Sequence, residues 1–418
     1  MTVDTERAIV VGVGLKSDSF VELKESLVEL EELVYTAGAE VVGTVVQTLS
    51  SYAPATLIGS GKVNEVKELC KDTEASLVIF DHQLSGIQIR NLEKAIGCRI
   101  LDRSQLILDI FAQRAQTYEG KLQVELAQML DMLPRMAGAW MGSLSRQGGG
   151  IGTRGPGETA LEVDRRRIKD RVKAIRKKLE DVRKHRGQHR SKRKRSQVPS
   201  IALIGYTNAG KSTLINRLTH SDVISKDQLF ATLDPTTRKI HLPEVNRAVI
   251  TDTVGFIRNL PAHLIEAFKA TLEETAEADV LVHVVDLASD QMDSQVKVVE
   301  KLIQDFGWDD KPVLYIYNKM DLAGMEKQFK AKGFPRSFVS AQTGQGIEKL
   351  RTLLGETINA LCKDVELFFP KEVEHKIYDL GRESSIDRTE ASSEGTVCFA
   401  KLTPSQMSEW QSYLVKSS

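Results

Sequence analysis

The sequence predicts an α/β protein in successive parts: an N-terminal α/β domain with a long helical hairpin, a central doubly wound domain with a mostly parallel sheet, and a small α+β C-terminal domain. Three observations carry that reading. Short apolar runs alternate with amphipathic stretches over residues 1 to about 105 and again within 198–362, the alternation of a parallel sheet covered by helices. Between them the pattern is helical. The third observation is Gly205-Tyr206-Thr207-Asn208-Ala209-Gly210-Lys211-Ser212, which fits G-x-x-x-x-G-K-[ST]. It lies between an apolar run and a helix start, as a phosphate-binding loop requires.

Composition bounds the possibilities. The 418 residues suffice for two to four domains, and 41% hydrophobic content supports real cores. Lys and Arg total 57, as do Asp and Glu, so the net charge is zero but unevenly spread. Cys70, Cys98, Cys362 and Cys398 have no paired spacing and read as reduced, mostly core thiols of a cytoplasmic protein. The start Met-Thr-Val-Asp-Thr-Glu-Arg has no apolar signal core and no transit pattern. No run is long and apolar enough to span a bilayer, so a soluble protein is expected.

In the N-terminal part (1–104), Ala8 to Val13 reads as a strand, and Phe20 to Tyr35 as a helix with Leu23, Leu27, Leu30 and Val34 on one face. Glu40 to Val46 is a strand, Lys62 to Lys71 a helix, Leu77 to Phe80 a strand, Gly86 to Ile96 a helix, and Arg99 to Asp102 a last strand. Gly12-Val13-Gly14 lacks the third glycine of a dinucleotide fingerprint. Gly59-Ser60-Gly61-Lys62 lacks the first glycine of a P-loop and the hydroxyl residue after Lys. A plain turn is the better reading for both, with a second nucleotide site as the alternative.

Residues 105–197 form the hairpin. From about Ser104 to Met136, Leu106, Ile110, Leu122, Leu126, Met129, Leu130 and Leu133 recur at helical spacing. A second helix is expected from about Glu158 to Arg186, and Gly148 to Gly157 forms a glycine-rich tip. The second helix is strongly basic, its Lys and Arg, Arg165, Arg166 and Arg167 among them, outnumbering the nearby acids several-fold. A solvated charged face is the plainer alternative, but the dominance of one sign over some thirty residues is the footprint of a nucleic-acid binder, and the near absence of aromatic residues favours phosphate contact over base stacking. Gly187 to Gln197 reads as a flexible hinge.

In the central part (198–362), Ser200 to Ile204 is the strand before the loop, and Thr213 to Leu218 the helix after it. Backbone N–H groups at that helix start favour phosphate, Lys211 can reach its β- and γ-oxygens, and Ser212 can ligate Mg²⁺. Asp252-Thr253-Val254-Gly255 follows the run Ala248 to Ile250, where an Mg²⁺-linked Asp belongs. Asn318-Lys319-Met320-Asp321 follows Val313 to Tyr317, and Ser340-Ala341 follows Phe338-Val339. Ligands of open α/β sheets bind at such strand ends. The Asp321 carboxylate suits the N–H pair of guanine, which adenine lacks. Residues 227–238 hold a first switch segment, in which Thr232, Thr236 or Thr237 could complete Mg²⁺ coordination. The C-terminal part (363–418) shows strands at Val365 to Pro370 and Gly395 to Leu402. A polar loop from Glu383 to Glu394 separates them, and so few residues should lean on the central domain.

Across all these parts the chain resembles the HflX family of ribosome-associated P-loop GTPases. The marks are Gly149-Gly150-x-Gly-x-Arg154-Gly-Pro-Gly-Glu158, the P-loop itself, Phe230-Ala231-Thr232-Leu233-Asp234-Pro-Thr-Thr-Arg238 and Asp252-Thr253-Val254-Gly255-Phe256. The resemblance implies a GTP hydrolase with GTP or GDP bound by residues 205–213 (through Thr213), 230–234, 252–255, Asn318, Lys319, Asp321, Ser340 and Ala341. It assigns the switch ligand to Thr232, giving Ser212, Thr232 and Asp252 for Mg²⁺ and Lys211, Thr232 and Gly255 as the catalytic set. It also implies binding to the large (50S) subunit and the 70S ribosome. The hairpin, through Gly149, Gly150, Arg154 and Arg165 to Arg167, would reach ribosomal RNA near the peptidyl transferase centre. Splitting or rescue of ribosomes under stress follows, by a protein expected to be a monomer off the ribosome. Two other readings stand beside it: an assembly or silencing factor that uses GTP to time occupancy, and an ATP-dependent RNA remodeller working through the N-terminal domain. One departure matters for rate. Phe256 stands where many GTPases place a Gln that orients the attacking water.

Overall fold

The computed structural model describes residues 5–144, 160–195, 198–219, 229–243, 245–261, 264–267, 275–402 and 404–415. They fall into two compact units. The first comprises Met1–Asp181, Gln228–Leu233 and Arg258–Lys269; the second comprises Val182–Asp227, Asp234–Ile257 and Ala270–Ser418.

In the first unit, β1 (Arg7–Leu15), β2 (Glu40–Leu49), β3 (Leu77–Phe80) and β4 (Arg99–Asp102) form a parallel sheet in the order β2-β1-β3-β4. The central strand β1 is buried on both faces from Ala8 to Gly14, which is why its sequence is almost unbroken in apolar residues. Helix α1 (Phe20–Ala37) buries the four expected residues Leu23, Leu27, Leu30 and Val34, starts at the Ser19 cap and stops at Gly38. The other helices are α2 (Ser60–Asp72), α3 (Gly86–Ile96) and α4 (Arg103–Arg114).

Both glycine-rich turns expected here are something else. Gly12 and Gly14 lie within β1; a Cβ at Gly12 would meet Leu27 Cδ1 at 2.7 Å, so the glycine admits α1 close to the sheet. Gly59 is the N-cap of α2, its N–H donating to Gln47 Oε1 at 3.0 Å, and Ser60 to Lys62 are the first helical turn. The long helical stretch from Ser104 is also two helices. It breaks at Ala115, and α5 (Tyr118–Leu144) begins where the Thr117 hydroxyl accepts from Gly120 N–H at 2.9 Å. Helix α6 (Ala160–Arg195) runs through the expected hinge as far as Arg195, because the Arg, Lys and Gln around Gly187 are good helix formers. Arg171 of α6 reaches Glu125 of α5 at 2.6 Å.

Charge is buried in this unit with its partners. Arg103 lies between Glu29 and Asp81, 2.8 Å from the latter, and Ser26 Oγ donates to Asp81 Oδ2 at 2.6 Å. Asp102, fully buried, caps α4 by accepting from Gln105 N–H at 3.0 Å, and also accepts from Leu84 N–H and from Arg135, both at 2.9 Å.

In the second unit, β5 (Ser200–Gly205), β6 (Thr236–Leu242), β7 (Val245–Asp252), β8 (Val280–Asp286), β9 (Val313–Asn318) and β10 (Arg336–Phe338) order as β10-β9-β8-β5-β7-β6. The edge strand β6 is antiparallel to β7 and the other pairs are parallel. Helices α7 (Lys211–Thr219), α8 (Met292–Asp305), α9 (Met325–Lys330) and α10 (Ile347–Leu361) accompany the sheet. Leu214, Leu218, Leu350 and Leu354 share one core with Ile201, Leu203, Val282 and Ile316.

The tail forms an antiparallel sheet, β11 (Lys363–Pro370), β13 (Gly395–Leu402) and β12 (Ser385–Ala391) in spatial order. It has its own core of Leu367, Phe369, Leu380, Cys398, Leu402 and Trp410. Helix α11 (Lys376–Glu383) touches β7, so the tail does lean on the larger sheet. The expected polar loop is mostly strand β12: Ile386 packs against the core and the Arg388 guanidinium lies 3.9 Å over the Phe399 ring.

Arg103→Ala leaves two buried carboxylates without their cation and should cost roughly 3–5 kcal/mol of stability, measured by denaturant unfolding. His283 on β8 is buried, and desolvation pushes its pKa down to about 3. The unfolded chain binds the proton first, so this contribution to stability is complete above about pH 6.5 and is lost as pH falls toward 3. The limiting slope is about 1.4 kcal/mol per pH unit. Between pH 5 and 6.5 the parent should lose stability faster than His283→Phe.

Candidate nucleotide site

The second unit gathers the predicted motifs at the carboxyl ends of its central strands. Gly205 ends β5, Asp252 ends β7, Asn318 ends β9, and Ser340-Ala341 follows β10. The P-loop turns between β5 and α7. Asn208 and Gly210 take left-handed φ values of 60° and 86°. A Cβ at Gly210 would lie 2.3 Å from Asn318 Nδ2, so this position tolerates no side chain.

Polar contacts lock the loop. Asn318 Nδ2 donates to Ala209 O at 2.9 Å, and Asn318 Oδ1 accepts from Ala341 N–H at 2.9 Å. Lys211 Nζ donates to Tyr206 O at 2.8 Å and Gly205 O at 3.1 Å. Burial pushes the Lys211 pKa down to about 8, opposed by Asp252, which favours the charged form. Ser212 Oγ donates to Asp252 Oδ2 at 2.6 Å. Thr253 Oγ1 donates to Leu203 O at 2.6 Å and fixes the segment that leads to Gly255. There the chain pairs with the P-loop: Thr207 N–H donates to Phe256 O at 2.8 Å, and Phe256 N–H to Gly205 O at 3.1 Å. A Cβ on Gly255 would be 2.9 Å from Thr207 Cα and 3.0 Å from Lys211 Nζ. Thr213 continues α7.

At the base-recognition end, Lys319 pairs with Asp286 at 2.9 Å, and Met320 N–H donates to Val339 O at 3.1 Å. Asp321 is exposed. Ser340 is buried and its hydroxyl accepts from Thr343 N–H at 3.1 Å. Two contributors went unread in the sequence. Asp286 holds Lys319, and the apolar run of β8 ending in Asp was a signal for it. Arg217 donates to Ala341 O at 3.0 Å and steadies the loop after β10; nothing local in the sequence marks it.

The switch residues divide. Thr236 and Thr237 belong to β6, with Thr237 Oγ1 3.0 Å from Thr251 Oγ1, while Thr232 lies in the preceding loop. Asp234 belongs to the second unit. Phe230, Ala231, Thr232 and Leu233 group with the first, where the Phe230 ring meets Phe111 edge-on at 4.6 Å. Gly149, Gly150 and Arg154 lie outside the described residues. Arg165, Arg166 and Arg167 are exposed on α6.

The arrangement can hold a polyphosphate at the P-loop and a purine beside Asn318, Asp321 and Ala341. Asp321→Asn should weaken binding of GTP by roughly ten- to hundredfold, the worth of a charge-assisted hydrogen bond. It should improve binding of the xanthine nucleotide, which presents a carbonyl where guanine has an amine. Titration of both nucleotides checks the exchange, and an unchanged GTP affinity excludes this role for Asp321.

Known families match along the chain in succession. One described as GTP-binding GTPase N-terminal matches residues 24–112, and one described as GTP-binding GTPase Middle Region matches residues 114–193. A third, described as 50S ribosome-binding GTPase, matches residues 200–319. GTPase HflX of Caldanaerobacter subterraneus subsp. tengcongensis is 49% identical over 369 residues, 88% of this chain and 84% of that protein. GTPase HflX of Escherichia coli (strain K12) is 44% identical over 374 residues, 88% of this chain and 86% of that protein. GTPase HflX of Akkermansia muciniphila is 38% identical over 427 residues, 98% of this chain and 97% of that protein. With motifs, fold and near full-length identity in agreement, the chain belongs to the HflX family of GTPases.

Proposed function

We propose that this GTPase binds the large (50S) ribosomal subunit and uses GTP to split or rescue stalled cytoplasmic ribosomes. The observation that carries the ribosome reading is α6. Arg165, Arg166 and Arg167 are exposed on it, while Val172, Ile175 and Leu179 of the same helix are buried. The helix therefore packs through apolar residues and carries exposed cations, with Arg167 paired to Asp164 at 3.2 Å and Arg171 to Glu125, a surface that suits phosphate contact. The name of the family matching residues 200–319 points the same way.

In hydrolysis, Lys211 is held as a fixed cation for the β- and γ-phosphates, and Gly255, packed on Thr207 and Lys211, is the backbone that a third phosphate would meet. The hard oxygens of Ser212 and Asp252, 2.6 Å apart, fit Mg²⁺. When bound, that ion neutralises charge on the phosphates. Phe256 is buried and its backbone is tied to the P-loop; its ring cannot orient water by hydrogen bonding. Positioning and preorganised charge supply most of phosphoryl-transfer catalysis, so the missing group comes from the ribosome.

Phosphate release should be slow for the protein alone and rise sharply with 50S subunits; a group supplied in trans can be worth about 10³–10⁵ in rate. Sedimentation of 70S ribosomes after incubation with the protein and GTP should yield free subunits. Intact 70S carrying bound protein would favour a silencing factor instead. Replacing Arg165, Arg166 and Arg167 with Gln should flatten the salt dependence of ribosome binding by about two to three units in the log–log slope, with GTP affinity unchanged. Fast basal turnover indifferent to ribosomes would overturn the coupling.

A further inference from the structure

Helix α9 breaks the rule that a surface helix turns its apolar side inward. None of its six residues is buried. Met325 and Phe329, four apart and so on one face, are 76% and 85% exposed. One of its polar residues turns in instead: Lys327 Nζ donates to Ala288 O and pairs with Asp290 at 2.8 Å. Leu322 just before the helix and Phe334 just after it are 71% and 75% exposed.

Anchors on both sides hold this outward face in place. Ala331 is buried with Val285, Leu287, Met292 and Tyr317. The Tyr317 hydroxyl donates to Lys332 O, and Arg336 donates to Ala331 O while lying 4.3 Å over the Phe334 ring. Lys319 and Lys327 are paired with Asp286 and Asp290 and Arg336 is turned onto Ala331 O and the Phe334 ring, so the cations of the rim are Lys330 and Lys332. Lys330 and Lys332 stand exposed beside the apolar residues.

We infer that Leu322, Met325, Phe329 and Phe334, rimmed by Lys330 and Lys332, form a docking surface for an amphipathic, acidic helix of a partner protein. Phe and Met are among the residue types enriched at protein interfaces, and the cationic rim selects acidic complements and rejects basic ones. Single-stranded RNA is the less favoured occupant, because the aliphatic Leu322 and Met325 offer bases no ring to stack on.

The test is a display library of random 16-residue peptides, panned on the full-length protein and counter-selected on a Met325→Ser/Phe329→Ser variant. The variant touches no buried residue, and unchanged GTP affinity and unfolding midpoint confirm its fold. Surviving peptides should carry an i, i+3, i+4, i+7 apolar stripe and net negative charge. They should bind the variant about tenfold or more weakly and lose affinity to Lys330→Glu/Lys332→Glu. Survivors without acidic bias, or no peptide that distinguishes parent from variant, would overturn the inference. So would oligouridine binding that is lost in the same variant, which would make the surface an RNA platform.

Discussion

Asn318 ends β9 with its carboxamide between two loops, donating to Ala209 O and accepting from Ala341 N–H. The P-loop, the loop after β10 and the requirement for Gly210 are tied together by that one side chain. Its amide fills the space that a Cβ at 210 would need, so the absence of one side chain and the presence of another are a single constraint. Neither partner can be replaced without orphaning a buried backbone group. The P-loop and the loop after β10 are thereby fixed relative to one another.

The two units meet the cost of polarity differently. In the second, buried polar side chains serve backbone: Thr253 on Leu203 O, Lys211 on two carbonyls, Asn318 on two loops. Such contacts fix the main chain where phosphates need close approach. In the first, charge answers charge, with Arg103 between Glu29 and Asp81 and Arg135 between Asp102 and Asp131. Buried ion pairs contribute little net stability, but removing one member is expensive. That network pins α1 and α4 to the end of β3.

The placement of the P-loop, Asp252, Asn318 and Ser340 at strand ends was legible because each segment is local: a short apolar run followed by a few residues of fixed spacing. The sheet strands were legible for a related reason, since β1 and β5 are buried on both faces and read as continuous apolar runs. Elements decided by distant partners were not. Strand β12 has a polar sequence and exists because Ile386 meets a core and Arg388 finds the Phe399 ring. The break at Ala115 carries no Gly or Pro; Thr117, read as one more helical position, makes the restart. Gly187 suggested a hinge, yet its neighbours' helix propensity outweighs one glycine. Gly12 resembled a turn residue, and only the closeness of Leu27 explains it. Arg103 and Arg217 were invisible in the sequence because their partners lie far along the chain.

An ammonium group has three hydrogens. Two of those on Lys211 already point at Tyr206 O and Gly205 O, which leaves one for a ligand. The side chain is therefore a fixed charge with a single free valence, oriented by the main chain it closes over. A guanidinium would keep the charge but spread it over a plane, with Gly255 already so near that not even a Cβ fits between them. The main chain thus decides where in the loop that one charge stands.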